Sequence, residues 1–206
     1  IKNKLTMLKL LKYCVKYKAT MIFISTYLYG DQPSLINENT KVSPASYYSL
    51  SKKNCEDMCK LFNTKYNLNV IILRTFNIYD DNLTQDTIFK KIIISYQQKR
   101  KLEIYKNFIR DYLHIEDFLE CLSKLINKRI KGQHVFNLAS GKSFSNIQIL
   151  KLFEQEGIIN NKILFKDNKF YPKKIKVNIS NINKYLNWFP SKNFHKNIKE
   201  VAKKYL

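Results

Sequence analysis

Two short apolar runs decide the fold class: residues 20–25, Thr-Met-Ile-Phe-Ile-Ser, and residues 69–74, Asn-Val-Ile-Ile-Leu-Arg. Neither run alternates apolar with polar side chains, which is typical of a strand that is buried on both faces. Apolar residues at helical spacing in residues 4–18 and 46–66 predict a helix before each strand. The alternation indicates a parallel α/β sheet.

The rest of the chain is more mixed but continues to alternate. We expect further strands at residues 102–105, 111–114, 134–138 and 162–165, and helices at 86–98, 116–128, from Ser143 or Ser145 to 154, at 180–186 and at 194–205.

Composition limits the class of protein. The chain has 206 residues, of which 45% are hydrophobic, so it can bury a core. We find neither an apolar run long enough to span a membrane nor the pattern of a signal peptide, and we expect a cytoplasmic protein. The four cysteines are scattered and no histidine lies at metal-ligand spacing, so we predict neither a disulfide framework nor a metal site.

The net charge of +21 raises the question of nucleic-acid binding. Nearly all of the excess is lysine, however, and it is spread along the chain without a nucleic-acid-binding motif. A solvated lysine surface is therefore the simpler interpretation, and nucleic acid is an unlikely partner. An acidic partner is an alternative explanation of the charge.

Tyr48 and Lys52 lie one helical turn apart and so share a helix face. A phenol is a poor base at neutral pH, and a nearby ammonium group stabilises its anionic form. The pair could therefore transfer protons, although Tyr-x-x-x-Lys alone is a common pattern in a chain so rich in both residues.

Six ordered segments resemble the extended short-chain dehydrogenases called NAD-dependent epimerase/dehydratases of nucleotide sugars. Residues 48–52, Tyr-Ser-Leu-Ser-Lys, with Glu56 beyond, are similar to the family's Tyr-x-x-Ser-Lys-x-x-x-Glu. The other five segments are residues 23–30 (Phe-Ile-Ser-Thr-Tyr-Leu-Tyr-Gly), 73–79 (Leu-Arg-Thr-Phe-Asn-Ile-Tyr), 110–117 (Arg-Asp-Tyr-Leu-His-Ile-Glu-Asp), 136–141 (Phe-Asn-Leu-Ala-Ser-Gly) and 186–190 (Leu-Asn-Trp-Phe-Pro). Glu38 and Pro44 also match the loop that follows the first of these.

The resemblance implies a site. Ser25, Tyr48 and Lys52 would be catalytic, with Ser25 bound to the reacting oxygen of the sugar. Tyr48, Lys52 and Asn3 would contact NAD or NADP. Ser25, Asn77 and Arg110 would bind the nucleotide sugar. A homodimer through the helix at 46–66 is the expected assembly.

Departures from the family's pattern narrow the activity. The dehydratase branch has an Asp-Glu pair directly after the catalytic hydroxyl residue, where this chain has Thr26 and Tyr27. We therefore expect a 4-epimerase or a 4-ketoreductase. Residues 171–174, Tyr-Pro-Lys-Lys, stand where an Arg-Pro-Gly-Asp-like segment is common, so one phosphate contact is expected to be missing.

The sequence begins with residues that resemble the family's mid-domain helix, and its four glycines are too far apart for a dinucleotide-binding loop. We therefore expect an incomplete Rossmann-type sheet (residues 1–80) and a smaller mixed α/β substrate domain (81–206, with segments near 110–130 returning to the sheet). Weak or no NAD binding is expected of this chain alone. The alternative function is an inactive remnant that keeps at most nucleotide-sugar binding.

Overall fold

The structure is a computed structural model and describes residues 2–30, 35–84, 87–106, 108–159, 162–166 and 175–206. Its helices are α1 (Lys2–Lys16), α2 (Tyr47–Tyr66), α3 (Ile88–Gln97), α4 (Ile115–Asn127), α5 (Asn146–Gln155), α6 (Ser180–Leu186) and α7 (Phe194–Lys203). Its strands are β1 (Met21–Thr26), β2 (Val70–Thr75), β3 (Asn77–Tyr79), β4 (Leu102–Tyr105), β5 (Ile109–His114), β6 (Gln133–Leu138), β7 (Ser143–Ser145) and β8 (Ile163–Lys166).

A parallel three-stranded sheet, in the order β1-β2-β6, forms the first layer. The strands are in register, with Met21 opposite Val70 and Val70 opposite Gln133. Every residue of β2 is buried, as expected of a central parallel strand. This arrangement confirms the predicted parallel α/β sheet.

Helices cover both faces of this sheet. On one face, Met7 and Leu11 of α1 pack with Cys59 and Phe62 of α2. On the other face lies a core that includes Leu125 of α4 together with residues of α6 and the loop after it. Carboxyl ends of parallel strands meet at one edge of a sheet, so the loops after β1 and β2 lie side by side.

A further core lies apart from the two that cover the parallel sheet, and it is built from both helices and strands. It joins α3, α5 and α7 to two small sheets, β3-β5-β7 and β4-β8, around an aromatic cluster that includes Phe89, Phe153 and Phe194. The predicted division of the chain at residue 80 stays a prediction.

Local sequence accounts for the helix ends near the site. Ser46 caps α2 through a reciprocal pair of hydrogen bonds with Ser49, and Ser145, one of the two serines predicted as caps, does the same for α5 with Gln148. Strands β3 and β7 were not predicted, because each has only three residues.

The described residues contain no sign of a membrane span or a metal cluster. None of their helices is both long enough and apolar enough to span a membrane. Within the same ranges, no group of three or more His, Cys, Asp or Glu side chains could hold a metal ion. All four cysteines are buried free thiols.

Candidate functional site

The amino-terminal part of α2 brings Tyr48 and Lys52 to the carboxyl end of β1. The Lys52 Nζ donates a hydrogen bond to the Ile24 carbonyl oxygen over 2.8 Å. The same nitrogen lies 5.7 Å from the centroid of the Tyr48 ring and 5.1 Å from that of Phe23. Lys52 is thus anchored to the strand, while the Tyr48 side chain remains 58% exposed. An exposed phenol beside a fixed ammonium group can meet an incoming ligand.

Tyr48 borders a cavity of about 280 Å³, here called the inner cavity. Its wall combines hydroxyl groups, one guanidinium group and apolar side chains. The lining residues are Thr26, Tyr27, Ala45, Ser46, Tyr48, Ser49, Thr75, Phe76, Asn77, Arg110 and Ile175. Three of the predicted site residues, Tyr48, Asn77 and Arg110, therefore meet in one place.

Ser25 does not line this cavity. Its side chain is only 2% exposed, and its Oγ donates a hydrogen bond to Glu56 over 2.6 Å on the α2 side of the sheet. Successive side chains of a strand point to opposite faces, so the next hydroxyl residue, Thr26, lines the inner cavity. The contact between Ser25 and the sugar stays a prediction, while Thr26 is the hydroxyl residue that lines the inner cavity in this structure.

Ser25 instead belongs to a buried polar network that joins all three strands of the sheet. The guanidinium group of Arg74 donates to both carboxylate oxygens of Glu56 and also to the Tyr29 hydroxyl. Tyr29 in turn donates to the Asn137 side chain over 2.6 Å. Burial lowers the pKa of Arg74, but the hydrogen bonds and charge interactions with Glu56 and Tyr29 together outweigh it and raise that pKa above its ordinary value. Because both charges are paired and hydrogen-bonded, the network is stable without solvent.

Asn77 and Arg110 stand between the inner cavity and a second cavity of about 260 Å³, here called the outer cavity. The Asn77 Nδ2 donates to the Asp111 carbonyl oxygen over 2.9 Å, which fixes the amide at the start of β3. The Arg110 guanidinium carbon lies 4.2 Å from the centroid of the Phe108 ring. A ligand that fills both cavities would pass these two side chains.

The outer cavity has an aromatic wall and a helix amino terminus. Tyr105 and Phe108 stack with ring centroids 4.7 Å apart. Another side of the outer cavity is lined by Thr87, which caps α3, and by Lys91 in the first turn of that helix. Sequence reasoning missed this part of the site, because a Tyr-x-x-Phe spacing has no distinctive motif.

Asp111 lies directly behind Arg110 and is fully buried. Its Oδ1 accepts a hydrogen bond from the Ser140 backbone N–H over 2.7 Å, and its Oδ2 has no hydrogen-bond partner among the described residues. Burial raises the pKa of Asp111 to about 7, although backbone hydrogen bonds, chiefly from Ser140, oppose the shift. The carboxyl group thus holds the loop after β6 near the cavity wall.

Gly30 allows the loop after β1 to close against the loop before α2. Its φ angle is +68°, and a Cβ built there would approach the Ser43 carbonyl oxygen to 2.9 Å. Only glycine fits that approach. Two predicted elements cannot be placed: the side chain of Asn3 and residues 171–174 lie outside the described residues.

A profile of the NAD dependent epimerase/dehydratase family matches residues 2–139. The chain belongs to this family.

Relatives in the family are longer than this chain. An uncharacterized UDP-glucose epimerase of Bacillus subtilis is 26% identical over 150 residues, covering 71% of this chain and 48% of the relative. A UDP-glucuronate 4-epimerase of Thermodesulfobacterium geofontis is 27% identical over 210 residues, covering 98% of this chain and 63% of the relative. The chain therefore spans about half to two thirds of the length of these curated relatives.

Solved structures show the fold of the family. The crystal structure of UDP-glucuronic acid 4-epimerase from Bacillus cereus, in complex with UDP-glucuronic acid and NAD, superposes with a TM-score of 0.89 at 22% identity. The match covers 98% of this chain and 67% of that one.

Proposed function

We propose that this chain is the part of an NAD(P)-dependent nucleotide-sugar 4-epimerase or 4-ketoreductase that contains the proton-transferring tyrosine and the sugar site. The observation that carries the proposal is the inner cavity, where Tyr48, backed by Lys52, faces the hydroxyl of Thr26 and the polar side chains of Asn77 and Arg110. The relatives named as UDP-sugar 4-epimerases support it.

The residues suggest a division of work at the sugar's C4 oxygen. The Tyr48 phenolate, stabilised by the ammonium group of Lys52, takes the C4 hydroxyl proton as the C4 carbon is oxidised. The resulting phenol returns that proton when C4 is reduced. Thr26 donates a hydrogen bond to the same oxygen in place of Ser25. The anchoring of Lys52 to the Ile24 carbonyl keeps the ammonium group in position before a ligand binds.

The cofactor would be held only in part by this chain. Tyr48 and Lys52 offer a hydroxyl and an ammonium group that fit the hydroxyls of a nicotinamide ribose, and Asn3 remains a predicted contact. When bound, the nicotinamide accepts and returns the hydride of C4. The four glycines, at positions 30, 132, 141 and 157, do not make a pyrophosphate loop. We accordingly keep the expectation that the chain alone binds NAD weakly.

The two cavities suggest how a nucleotide sugar would lie. Its sugar would occupy the inner cavity and its base would pack on Tyr105 and Phe108 in the outer one. The diphosphate would then pass Arg110 and face the amino terminus of α3, where both the guanidinium group and the helix dipole favour negative charge.

Dehydration remains outside the proposal. Tyr27 and Leu28 follow Thr26 in the chain, and neither has the carboxyl group that proton exchange during water loss would need. The same holds if Ser25 is the catalytic hydroxyl residue, because Thr26 and Tyr27 follow it, so a 4-epimerase or a 4-ketoreductase remains the proposal.

Turnover and binding can be tested separately. We would incubate the chain with NAD and UDP-glucuronic acid, UDP-glucose or UDP-N-acetylglucosamine and follow C4 inversion by proton NMR, with calorimetric titration of each nucleotide sugar without NAD. Tyr48→Phe is expected to abolish inversion and preserve binding. Saturable binding without any turnover would favour the inactive remnant, and absence of binding for every nucleotide sugar would refute both readings.

The predicted homodimer through α2 is also retained as a proposal. Tyr47, Leu50 and Leu61 expose apolar surface on this helix, and its neighbouring Lys53 and Asp57 neutralise each other in an ion pair. Sedimentation equilibrium would show a dimer that Leu50→Lys with Leu61→Lys dissociates. A monomer in the unaltered chain would exclude it.

A further inference from the structure

One side of the inner cavity is apolar. Tyr27, Phe76 and Ile175 all line this cavity, and all three belong to, or pack against, the hydrophobic core that includes residues of α4 and α6. The ring centroids of Tyr27 and Phe76 are 5.6 Å apart in an edge-to-face contact. Phe76 and Ile175 are only 7% and 4% exposed, and what they offer a ligand is carbon surface. These three residues are here called the apolar wall.

The side chain of Tyr27 is held in place within this wall. Its hydroxyl donates a hydrogen bond to the Gly30 carbonyl oxygen, and its ring contacts the Tyr29 ring with centroids 5.7 Å apart. The hydroxyl proton is thus used in the loop after β1, and the rest of the side chain is aromatic. A ligand group that meets Tyr27 therefore meets a fixed apolar surface, against which carbon atoms gain from burial.

The apolar wall lies beside the reacting carbon of the sugar. Tyr27 directly follows Thr26, which the proposed function places at the C4 oxygen, and both residues line the cavity. The carbons bonded to C4 are C3 and C5. In a pyranose, C3 bears a hydroxyl group, which needs a hydrogen-bond partner, whereas C5 bears a further carbon, C6. The group at C6 is thus the substituent that fits the apolar wall.

Charge distinguishes the three common forms of C6, which are a carboxylate, a hydroxymethyl group and a methyl group. Among the described residues that line the inner cavity, Arg110 is the only charged one, and it also lines the outer cavity, where it would meet the diphosphate. A carboxylate at C6 would compete with the diphosphate for this guanidinium group and would lose hydration against the apolar wall. A hydroxymethyl group would leave its hydroxyl facing carbon, whereas a methyl group needs no partner.

We infer that the sugar is a 6-deoxyhexose whose C6 methyl group packs against Tyr27, Phe76 and Ile175. The inference rests on the proposed function, because that function sets C4 at Tyr48. Tyr27 is then a specificity-determining residue, since a smaller or more polar side chain at this position would admit a hydroxymethyl group.

A matched series of ligands tests the inference without turnover. UDP-6-deoxyglucose, UDP-glucose and UDP-glucuronic acid differ only at C6, and calorimetric titration of the whole chain without NAD measures their dissociation constants. The dTDP esters of the same sugars repeat the series with a second base. The 6-deoxy sugar should bind about tenfold more tightly than the glucose ester and about a hundredfold more tightly than the glucuronic acid ester, because the wall offers no partner to a hydroxyl group or to a charge.

Two substitutions in the apolar wall should reduce this preference. Tyr27→Thr removes the ring and Ile175→Thr places a hydroxyl group in the wall, so each should reduce the preference for the 6-deoxy sugar over glucose to about twofold. Tyr27→Phe keeps the ring and loses only the hydrogen bond to the Gly30 carbonyl, so the preference should persist. Phe189→Thr is the control, because it removes a 63% exposed aromatic side chain that lines neither cavity. Circular dichroism of each variant would verify that it is folded.

Four results would overturn the inference. Affinities for the 6-deoxy and glucose esters that agree within about twofold, or tighter binding of the glucuronic acid ester, would show that the wall does not meet a C6 methyl group. A preference that both wall variants retain would place the methyl group elsewhere. Tightest binding of UDP-N-acetylglucosamine, lost in Tyr27→Thr, would assign the wall to an acetamido methyl group. Absence of binding for every ester would refute the proposed function itself, and the inference with it.

Discussion

Replacing Asp111 with Asn should remove a pH dependence from the stability of the fold. Burial raises the pKa of this carboxyl group from 3.8 to about 7, so the folded chain binds the proton more tightly than the unfolded chain does. The protonated form is therefore the stabilising one. Its contribution is complete below about pH 4 and is lost as the pH rises through about 7.

The size of the effect follows from the two pKa values. Between about pH 5 and pH 8 the unfolding free energy should fall by about 2.5 kcal/mol through this group alone. Asn has the shape of the neutral acid and keeps an oxygen for the Ser140 N–H, so Asp111→Asn should not lose that amount. For a chain of this size the difference corresponds to a shift in Tm of about 5 to 10 °C.

Urea unfolding of both proteins at the two pH values measures the difference directly. Other groups also titrate in this interval, but they are common to both proteins and cancel in the comparison. Equal pH dependence in the two proteins, within about 0.5 kcal/mol, would refute the idea that Asp111 is neutralised by burial.

The remaining predictions concern the network, the two hydroxyls and the backbone. Glu56→Gln leaves a buried guanidinium group unpaired and should cost about 3 to 5 kcal/mol in urea unfolding, whereas Asp57→Asn on the surface should cost less than about 1 kcal/mol. Thr26→Val should abolish C4 inversion with little loss of stability, while Ser25→Ala should lower stability by about 1 to 3 kcal/mol and preserve inversion; the reverse pattern would restore Ser25 as the catalytic hydroxyl. Lys99 has a φ angle of 51°, so Lys99→Gly should raise the free energy of unfolding by about 1 kcal/mol and raise the Tm in thermal unfolding. An unchanged or lower Tm would show that the backbone at this position is not strained.

Most helices and strands could be predicted because their signals are local. The apolar runs at residues 20–25 and 69–74 lie within one residue of β1 and β2, and Ser46 is a recognisable cap one residue before α2. The short β3 and β7 lack such signals, since three residues are too few to establish a period. Their pairing with β5 depends on tertiary contacts.

The candidate site was predictable where a motif fixes the spacing on one element. Tyr48 and Lys52 share a helix, so their proximity follows from sequence. Ser25 and Thr26 are adjacent hydroxyl residues at a strand end, where counting cannot tell which side chain points to the cavity. The place of Tyr105 and Phe108 in the site could not be predicted, because it depends on how β4 and β5 are arranged around the outer cavity.

The buried network around Glu56 also has a consequence for how the sheet is assembled. If β1 slipped by one residue against β2, every side chain of the strand would change face, and Thr26 would replace Ser25 opposite the carboxylate. The threonine hydroxyl could still donate to Glu56, but its additional methyl group would need space in a close-packed interior. The correct register of β1 against β2 is thus stabilised by contacts in the buried interior. The register of β1, and with it the hydroxyl residue that lines the inner cavity, is therefore favoured by a carboxylate on the opposite face of the sheet.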